Sequence, residues 1–203
     1  MARFPWTDLD LFPLALGGNV FGWTADEAQS IAILDAYVAA GGNHIDTADS
    51  YSHWAPGNSG GESETIIGRW LRARGNRDEL LIATKIGRYG RLTAANIRAF
   101  TEASLRRLQT DRIDLLYLHN EDPDVPLAEQ LGALDALVRE GKVRAIGASN
   151  YRPETLAEAL AISDREGLAR FAALQPHYNL LERRTGPIPF EGALQDLALR
   201  ERL

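Results

Sequence analysis

Asp46, Tyr51, Lys85 and His119 are the residues whose types and order could together do chemistry. Hydride arriving at a carbonyl carbon leaves negative charge on the oxygen, which then needs a proton or a stabilising donor. A phenol can supply that proton, although a reference pKa of about 10 makes it a poor acid at neutral pH by itself. An ammonium beside the phenol favours its anion, and that is the role open to Lys85. Asp46 can hold the lysine in place. A neutral His119 can donate from one ring nitrogen and orient the substrate oxygen. Each residue also has an ordinary alternative: a strand-end cap, a packed ring, a solvent-facing charge, a satisfied core imidazole. It is the interlocking of the four roles that raises the set above its members.

A second group is Ser149, Asn150 and Gln175. Hydroxyl and amide side chains can match both the donors and the acceptors of a carboxamide, such as the one on nicotinamide. Asn150 has a rival role as the N-cap of the helix that begins near Pro153, and Gln175 could be an ordinary strand-end hydrogen bonder. Other chemistries fail on their patterns. The four histidines, His44, His53, His119 and His177, form no HExxH arrangement, and Glu121, Asp122 and Asp124 lack calcium-loop spacing. Gly147-Ala148-Ser149-Asn150 lacks the second glycine of a nucleophile elbow. There is no cysteine, so thiolate nucleophiles, disulfides and cysteine-bound metals are excluded.

Strands and helices alternate so as to bring these residues together. An apolar start at Leu14-Ala15-Leu16 is followed by a helix with Ile31, Leu34 and Val38 at helical spacing, for which Thr24 and Glu27 have capping-box spacing. A short strand around 43–47 ends beside Asp46, and a glycine-rich loop carrying Tyr51 leads to a helix near 63–74. The run 80–84 delivers Lys85. Thr93 can cap the next helix, 113–118 delivers His119, and Gly141 closes the helix that follows. Strands at 143–147 and 171–174 precede Ser149-Asn150 and Gln175, and 190–203 has a helical pattern.

Six strand-then-helix units imply a parallel sheet covered by helices. Gly17-Gly18-Asn19-Val20-Phe21-Gly22 is neither a dinucleotide fingerprint nor a phosphate loop. Polar residues gather instead after several different strands. That distribution favours a (β/α)8 (TIM) barrel, whose working groups lie at the carboxyl ends of its strands. Six units in 203 residues fall short of the eight strands and about 250 residues of such a barrel. The expectation is therefore a single partial barrel domain over 1–203, with the last two βα units missing. A formal net charge of -6 offers no broad attraction to nucleic acid or anionic membranes. No apolar run approaches the ~20 residues of a membrane span. A cytoplasmic protein is expected, and the oligomeric state is not legible.

In the order and identity of its motifs the chain resembles the aldo-keto reductase superfamily. They are Gly17 with the loop to Gly22, the run from Asn43 to Tyr51 (NHIDTADSY), Lys85 after its strand, Leu118-His119-Asn120-Glu121-Asp122, Gly147-Ala148-Ser149-Asn150 and Gln175-Pro176-His177-Tyr178-Asn179. The resemblance implies Tyr51 as general acid/base, with Lys85 and Asp46 as its electrostatic partners and His119 positioning the carbonyl. It implies Ser149, Asn150 and Gln175 as nicotinamide ligands, with Gly18 and Asn19 as further cofactor-side candidates and Asp46 close to the same ring. The implied reaction is reversible hydride transfer between NADP(H), or alternatively NAD(H), and a small aldehyde or ketone, without a metal. A cofactor-responsive binding subunit, or an inactive piece of a reductase, are the alternatives. Two features depart from the common pattern: the tyrosine loop from His53 to Gly61 is longer, and the stop at Leu203 is expected to leave out the last strands and much of the cofactor grip. Trp54, in the lengthened loop, either lines a substrate pocket or covers the rim, and His177 is expected to serve loop packing.

Overall fold

Each strand pairs in parallel with the next one in the chain, in the unbroken order β1-β2-β3-β4-β5-β6. In the computed structural model, which describes residues 11–177, 197, 198, 200 and 201, the elements are β1 (Leu16–Gly17), α1 (Glu27–Ala39), β2 (His44–Asp46), α2 (Glu62–Arg74), β3 (Leu81–Ile86), α3 (Ala94–Leu108), β4 (Ile113–Leu118), α4 (Leu127–Arg139), β5 (Val143–Ser149), α5 (Pro153–Glu166) and β6 (Phe171–Gln175), with a 3-10 turn at Arg77–Glu79. Strand order never reverses, so right-handed crossovers put every helix on the same side of the sheet. An open doubly wound sheet would need a reversal.

The sheet is curled. Gln175 Nε2, at the end of β6, donates to Asp46 Oδ1, at the end of β2, over 3.0 Å. These strands are four steps apart, which in a flat sheet would separate them by roughly 19 Å at about 4.8 Å per step. Only a strongly rolled sheet brings the two strand ends within hydrogen-bond reach. The six units form a partial (β/α)8 barrel.

Strand alternation produces two separate apolar layers. Ile45, Ile82, Ile86, Leu116, Leu118, Ile146 and Ala148 face the helices in the large cluster with Leu34, Trp70 and Leu134. Leu81, Ala83, Leu115, Tyr117, Ala145 and Ala173 form the inner layer. Continuing the inner parity by two residues past Ala83, Tyr117 and Ala173 reaches Lys85, His119 and Gln175. On β5 it runs from Ala145 through Gly147 to Ser149. The candidate site residues thus form the uppermost layer of the barrel interior.

Several boundaries differ from the sequence reading. The first strand is Leu16–Gly17 rather than 14–16. The cap of α1 is Asp26, not Thr24: its carboxylate accepts from Gln29 N at 2.8 Å, and Gln29 Oε1 accepts from Asp26 N at 3.1 Å. Asp26 and Gln29 satisfy both ends of a capping box two residues later than predicted. Asn150 does not cap α5. The N-cap is Arg152, with no side-chain cap bond, while Pro153 takes the first helical position. Thr93 does cap α3, accepting from Asn96 N. The expected helix over 190–203 lies mostly outside the described residues, and positions 197, 198, 200 and 201 are helical.

Two helical glycines have opposite surroundings. A Cβ on Gly68 in α2 would lie 2.1 Å from Arg107 O and 2.7 Å from the Leu108 carbonyl carbon, where α3 crosses. Nothing lies within 4 Å of a Cβ on Gly132 in α4. Alanine gains about 1 kcal/mol of helix propensity over glycine, but forcing a methyl into packed backbone costs about 1–3 kcal/mol. Gly132→Ala is therefore expected to stabilise the fold by about 0.5–1 kcal/mol. Gly68→Ala should destabilise it, and urea unfolding of both variants gives the two signs.

Candidate active site

Lys85 is 1% exposed, and its ammonium has three donors to place. They go to Asp46 Oδ2 at 2.6 Å, Thr47 O at 3.0 Å and the Tyr51 hydroxyl at 2.8 Å. The donor count is met. Because the Tyr51 oxygen accepts from Lys85, its own proton is left for another acceptor. Lys85 Nζ also lies 4.7 Å from the centre of the Tyr51 ring.

Tyr51 is placed by bonds made by the residues that follow it. Next to it, Ser52 is buried in the left-handed region at φ 68, with its hydroxyl donating to Phe21 O at 2.7 Å. Asn58 Nδ2 bridges Gly22 O at 2.8 Å and Ser52 O at 3.0 Å. These bonds fasten the tyrosine loop to the loop after β1. Trp54, 43% exposed, sets its ring edge-on to Tyr51, Trp23 and His53. It builds an aromatic rim beside the phenol.

His119 follows β4, with ring centroids 6.1 Å from Tyr51. Burial, the Lys85 charge and the Arg88 charge hold its pKa down to about 3, so the imidazole is neutral. Its buried Nδ1 has no hydrogen-bond partner among the described residues.

A cavity of about 780 Å³ opens above this layer, with Tyr51, Lys85, His119, Ser149, Asn150 and Gln175 in its lining. That volume is in the range of small-molecule and cofactor sites. Ser149 Oγ donates to Gln175 O at 2.9 Å, and Asn150 Nδ2 donates to His119 O at 3.0 Å and to Ser149 Oγ at 3.2 Å. With the Gln175 amide donating to Asp46, the side-chain oxygens of Asn150 and Gln175 keep acceptor capacity. They suit the NH2 of a carboxamide, while its carbonyl would require Asn150 Nδ2 or the Ser149 hydroxyl to turn. The set fits a nicotinamide amide on these terms.

Gly18 and Asn19 are not part of the cavity lining. Gly18 N donates to Asp46 O at 2.8 Å, and its carbonyl accepts from Ser63 Oγ at 2.7 Å. A Cβ there would lie 2.7 Å from Ser63 Oγ, so the glycine has a packing reason; Asn19 is exposed. His177, expected to serve only loop packing, lines the cavity. Among the described residues, no cluster of His, Asp and Glu is placed to hold a metal, and no helix is long and apolar enough to cross a membrane.

Sequence reasoning missed Asp49. Its backbone N donates to Lys85 O at 2.9 Å, and its Oδ2 accepts from Gly87 N at 3.1 Å. It therefore grips the chain on both sides of Lys85. The other carboxylate oxygen is buried without a partner among the described residues, and burial raises the Asp49 pKa to about 6. The only signal in the sequence is an acidic residue two positions before the tyrosine.

Two pH effects follow. For His119 the folded-state pKa lies below the usual 6.5, so the stability that the neutral ring contributes is present above 6.5 and lost as pH falls toward 3. Histidine-selective NMR should show its ring neutral from pH 8 down to 5. Asp49 has the opposite sign: the favourable contribution exists below 3.8 and disappears as pH rises through about 6. The stability of Asp49→Asn relative to the parent should therefore improve by about 1–3 kcal/mol between pH 4 and pH 8, measured by denaturant unfolding at both values.

Comparison with known proteins shows the family. The family model described as aldo/keto reductase family matches residues 13–190. The chain is 35% identical over 200 residues to aldo-keto reductase ausK of Aspergillus calidoustus, covering 88% of this chain and 49% of that protein. It is 34% identical over 199 residues to norsolorinic acid reductase B of Aspergillus parasiticus, covering 88% and 50%. With protein tas of Escherichia coli it shares 34% over 209 residues, covering 89% and 60%. The chain thus spans about half to three-fifths of the length of these relatives. On the family match and these identities, the chain belongs to the aldo/keto reductase family.

Proposed function

We propose that the full-length protein catalyses reversible reduction of an aldehyde or ketone to an alcohol with a nicotinamide dinucleotide, NADP(H) by family preference and NAD(H) as the alternative. The observation that carries the proposal is the three-way placement of the Lys85 ammonium on Asp46, Thr47 O and the Tyr51 hydroxyl. It leaves a phenolic proton available at a cavity bordered by a neutral imidazole.

When bound, the nicotinamide supplies the hydride, or accepts it in the reverse direction. Ser149, Asn150 and Gln175 would hold its carboxamide. Tyr51 gives its proton to the substrate oxygen as charge develops there, and the charge left on the phenol faces the Lys85 ammonium at 2.8 Å. Asp46 anchors that ammonium from β2. His119 is neutral and can donate one ring N–H to the same oxygen without contributing a repelling or competing charge. The Trp54 ring packs edge-on against the phenol, with Trp23 edge-on behind it.

General acid catalysis contributes about 10²–10⁴-fold. Tyr51→Phe in the full-length protein should therefore lower kcat by roughly that factor with cofactor affinity retained, and Lys85→Met should lower it comparably. Single-turnover oxidation of NADPH with aromatic aldehydes checks both. Hydride transfer at the parental rate in the double variant would overturn the proposal.

A further inference from the structure

The loop after β3 carries two arginines in contrasting settings. Arg91 is latched to the loop after β4, with Nε at 3.1 Å from Asp122 Oδ2 and Nη1 at 2.7 Å from Asp124 Oδ2. Arg88 stands three residues earlier and has no carboxylate partner among the described residues. Its guanidinium makes a 3.4 Å contact to the neutral Asn120 Oδ1, which places it beside the residue that follows His119. Arg88 is exposed and lines the main cavity together with Tyr89.

Charge accounting around the cavity isolates this group. No Asp or Glu is among the described lining residues, although the chain as a whole has 28 acidic residues against 22 Lys and Arg. The Lys85 charge is opposed at 2.6 Å by Asp46, and His119 is neutral. Of the Lys and Arg side chains among the described lining residues, Arg88 is therefore the one whose charge no carboxylate opposes. Its field reaches the reaction layer, since it helps to hold the His119 ring neutral. Arg88 lies in the loop after β3, the strand that carries Lys85, whereas Ser149, Asn150 and Gln175 lie at the ends of β5 and β6.

We propose that Arg88 selects carbonyl substrates that carry an anionic group, foremost a carboxylate, which it binds at the cavity rim while Tyr51 and His119 address the carbonyl. A guanidinium offers a planar fork of donors matched to a carboxylate. The assignment rests on the reductase reading and names its substrate class. Because Arg88 is exposed, the gain is modest and screened by salt.

The test uses the full-length protein and a pair of substrates of matched shape, 4-formylbenzoate and its methyl ester. The parent should prefer the carboxylate in kcat/KM. Arg88→Gln should reduce the carboxylate-to-ester ratio about two- to fivefold, chiefly through KM, and added salt should erode the ratio in the parent. Arg72→Gln, which removes an exposed charge on α2 outside the cavity, should keep the parental ratio. Calorimetric binding of 4-(hydroxymethyl)benzoate against its methyl ester gives a readout that requires no turnover, and Arg88→Gln should remove the preference there too. Turnover of both substrates with an unchanged ratio in Arg88→Gln overturns the inference and leaves the reductase reading intact. So does an equal loss for both substrates accompanied by weaker NADPH binding, which would assign Arg88 to the cofactor. Carboxylate-selective, Arg88-dependent binding without any turnover would instead overturn the reductase reading alone.

Discussion

An ammonium with 1% exposure is stable in a protein interior only if its charge is opposed and each of its protons has an acceptor. Lys85 meets both requirements through β2 and the loop that follows it. Asp46 supplies the opposing charge, and Thr47 O and the Tyr51 hydroxyl complete the set. The arrangement links two strands and a loop at one point, so the position of the phenol is coupled to the burial of the lysine. Breaking such a pair by removing one partner leaves an uncompensated buried charge, at a cost of about 3–5 kcal/mol. The site and the fold are therefore held by the same contacts.

The curl of the sheet supplies the rest of the geometry. Asp46 uses one carboxylate oxygen for Lys85 and the other for Gln175 Nε2, so it joins β2, β3 and β6 across the mouth of the barrel. Below that layer the interior is filled rather than hollow. The Tyr117 ring occupies the space where a Cβ on Gly147 would lie, 2.5 Å away. A large residue on β4 is matched by none on β5, and the pair forms a floor under the cavity.

Strand ends were legible because strand periodicity and burial are local properties of sequence. Lys85, His119 and Gln175 could be placed from the apolar runs before them, and all three continue the inner parity of β3, β4 and β6. Competition between near neighbours was less legible. Thr24 and Asp26 both offer a capping oxygen, and Gln29 decides between them by reaching back to Asp26. Asn150 carries a cap residue's side chain, yet its amide goes to His119 O across to the neighbouring strand end. Spacing along one strand-loop-helix unit cannot reveal a bond to a different unit. The same reason hid Asp49, whose partners are Lys85 O and Gly87 N, and the setting of Arg88, which depends on where Asp122 and Asp124 are already engaged.

One charge also separates the roles of the two rings. The ammonium at 2.8 Å from the Tyr51 oxygen stands where it can stabilise the negative charge left by proton donation. The same ammonium, with burial and Arg88, opposes a positive charge on His119. A site with phenol and imidazole side by side could in principle pass its proton from either. Burial, with the Lys85 and Arg88 charges, keeps the imidazole neutral, and in the proposed reaction the phenol beside the ammonium is the proton donor, a division set by the environment rather than by the residue types. The pairing of β2 with β3 sets the lysine beside the loop that follows β2, with its ammonium 2.8 Å from the phenol oxygen and 4.7 Å from the centre of that ring.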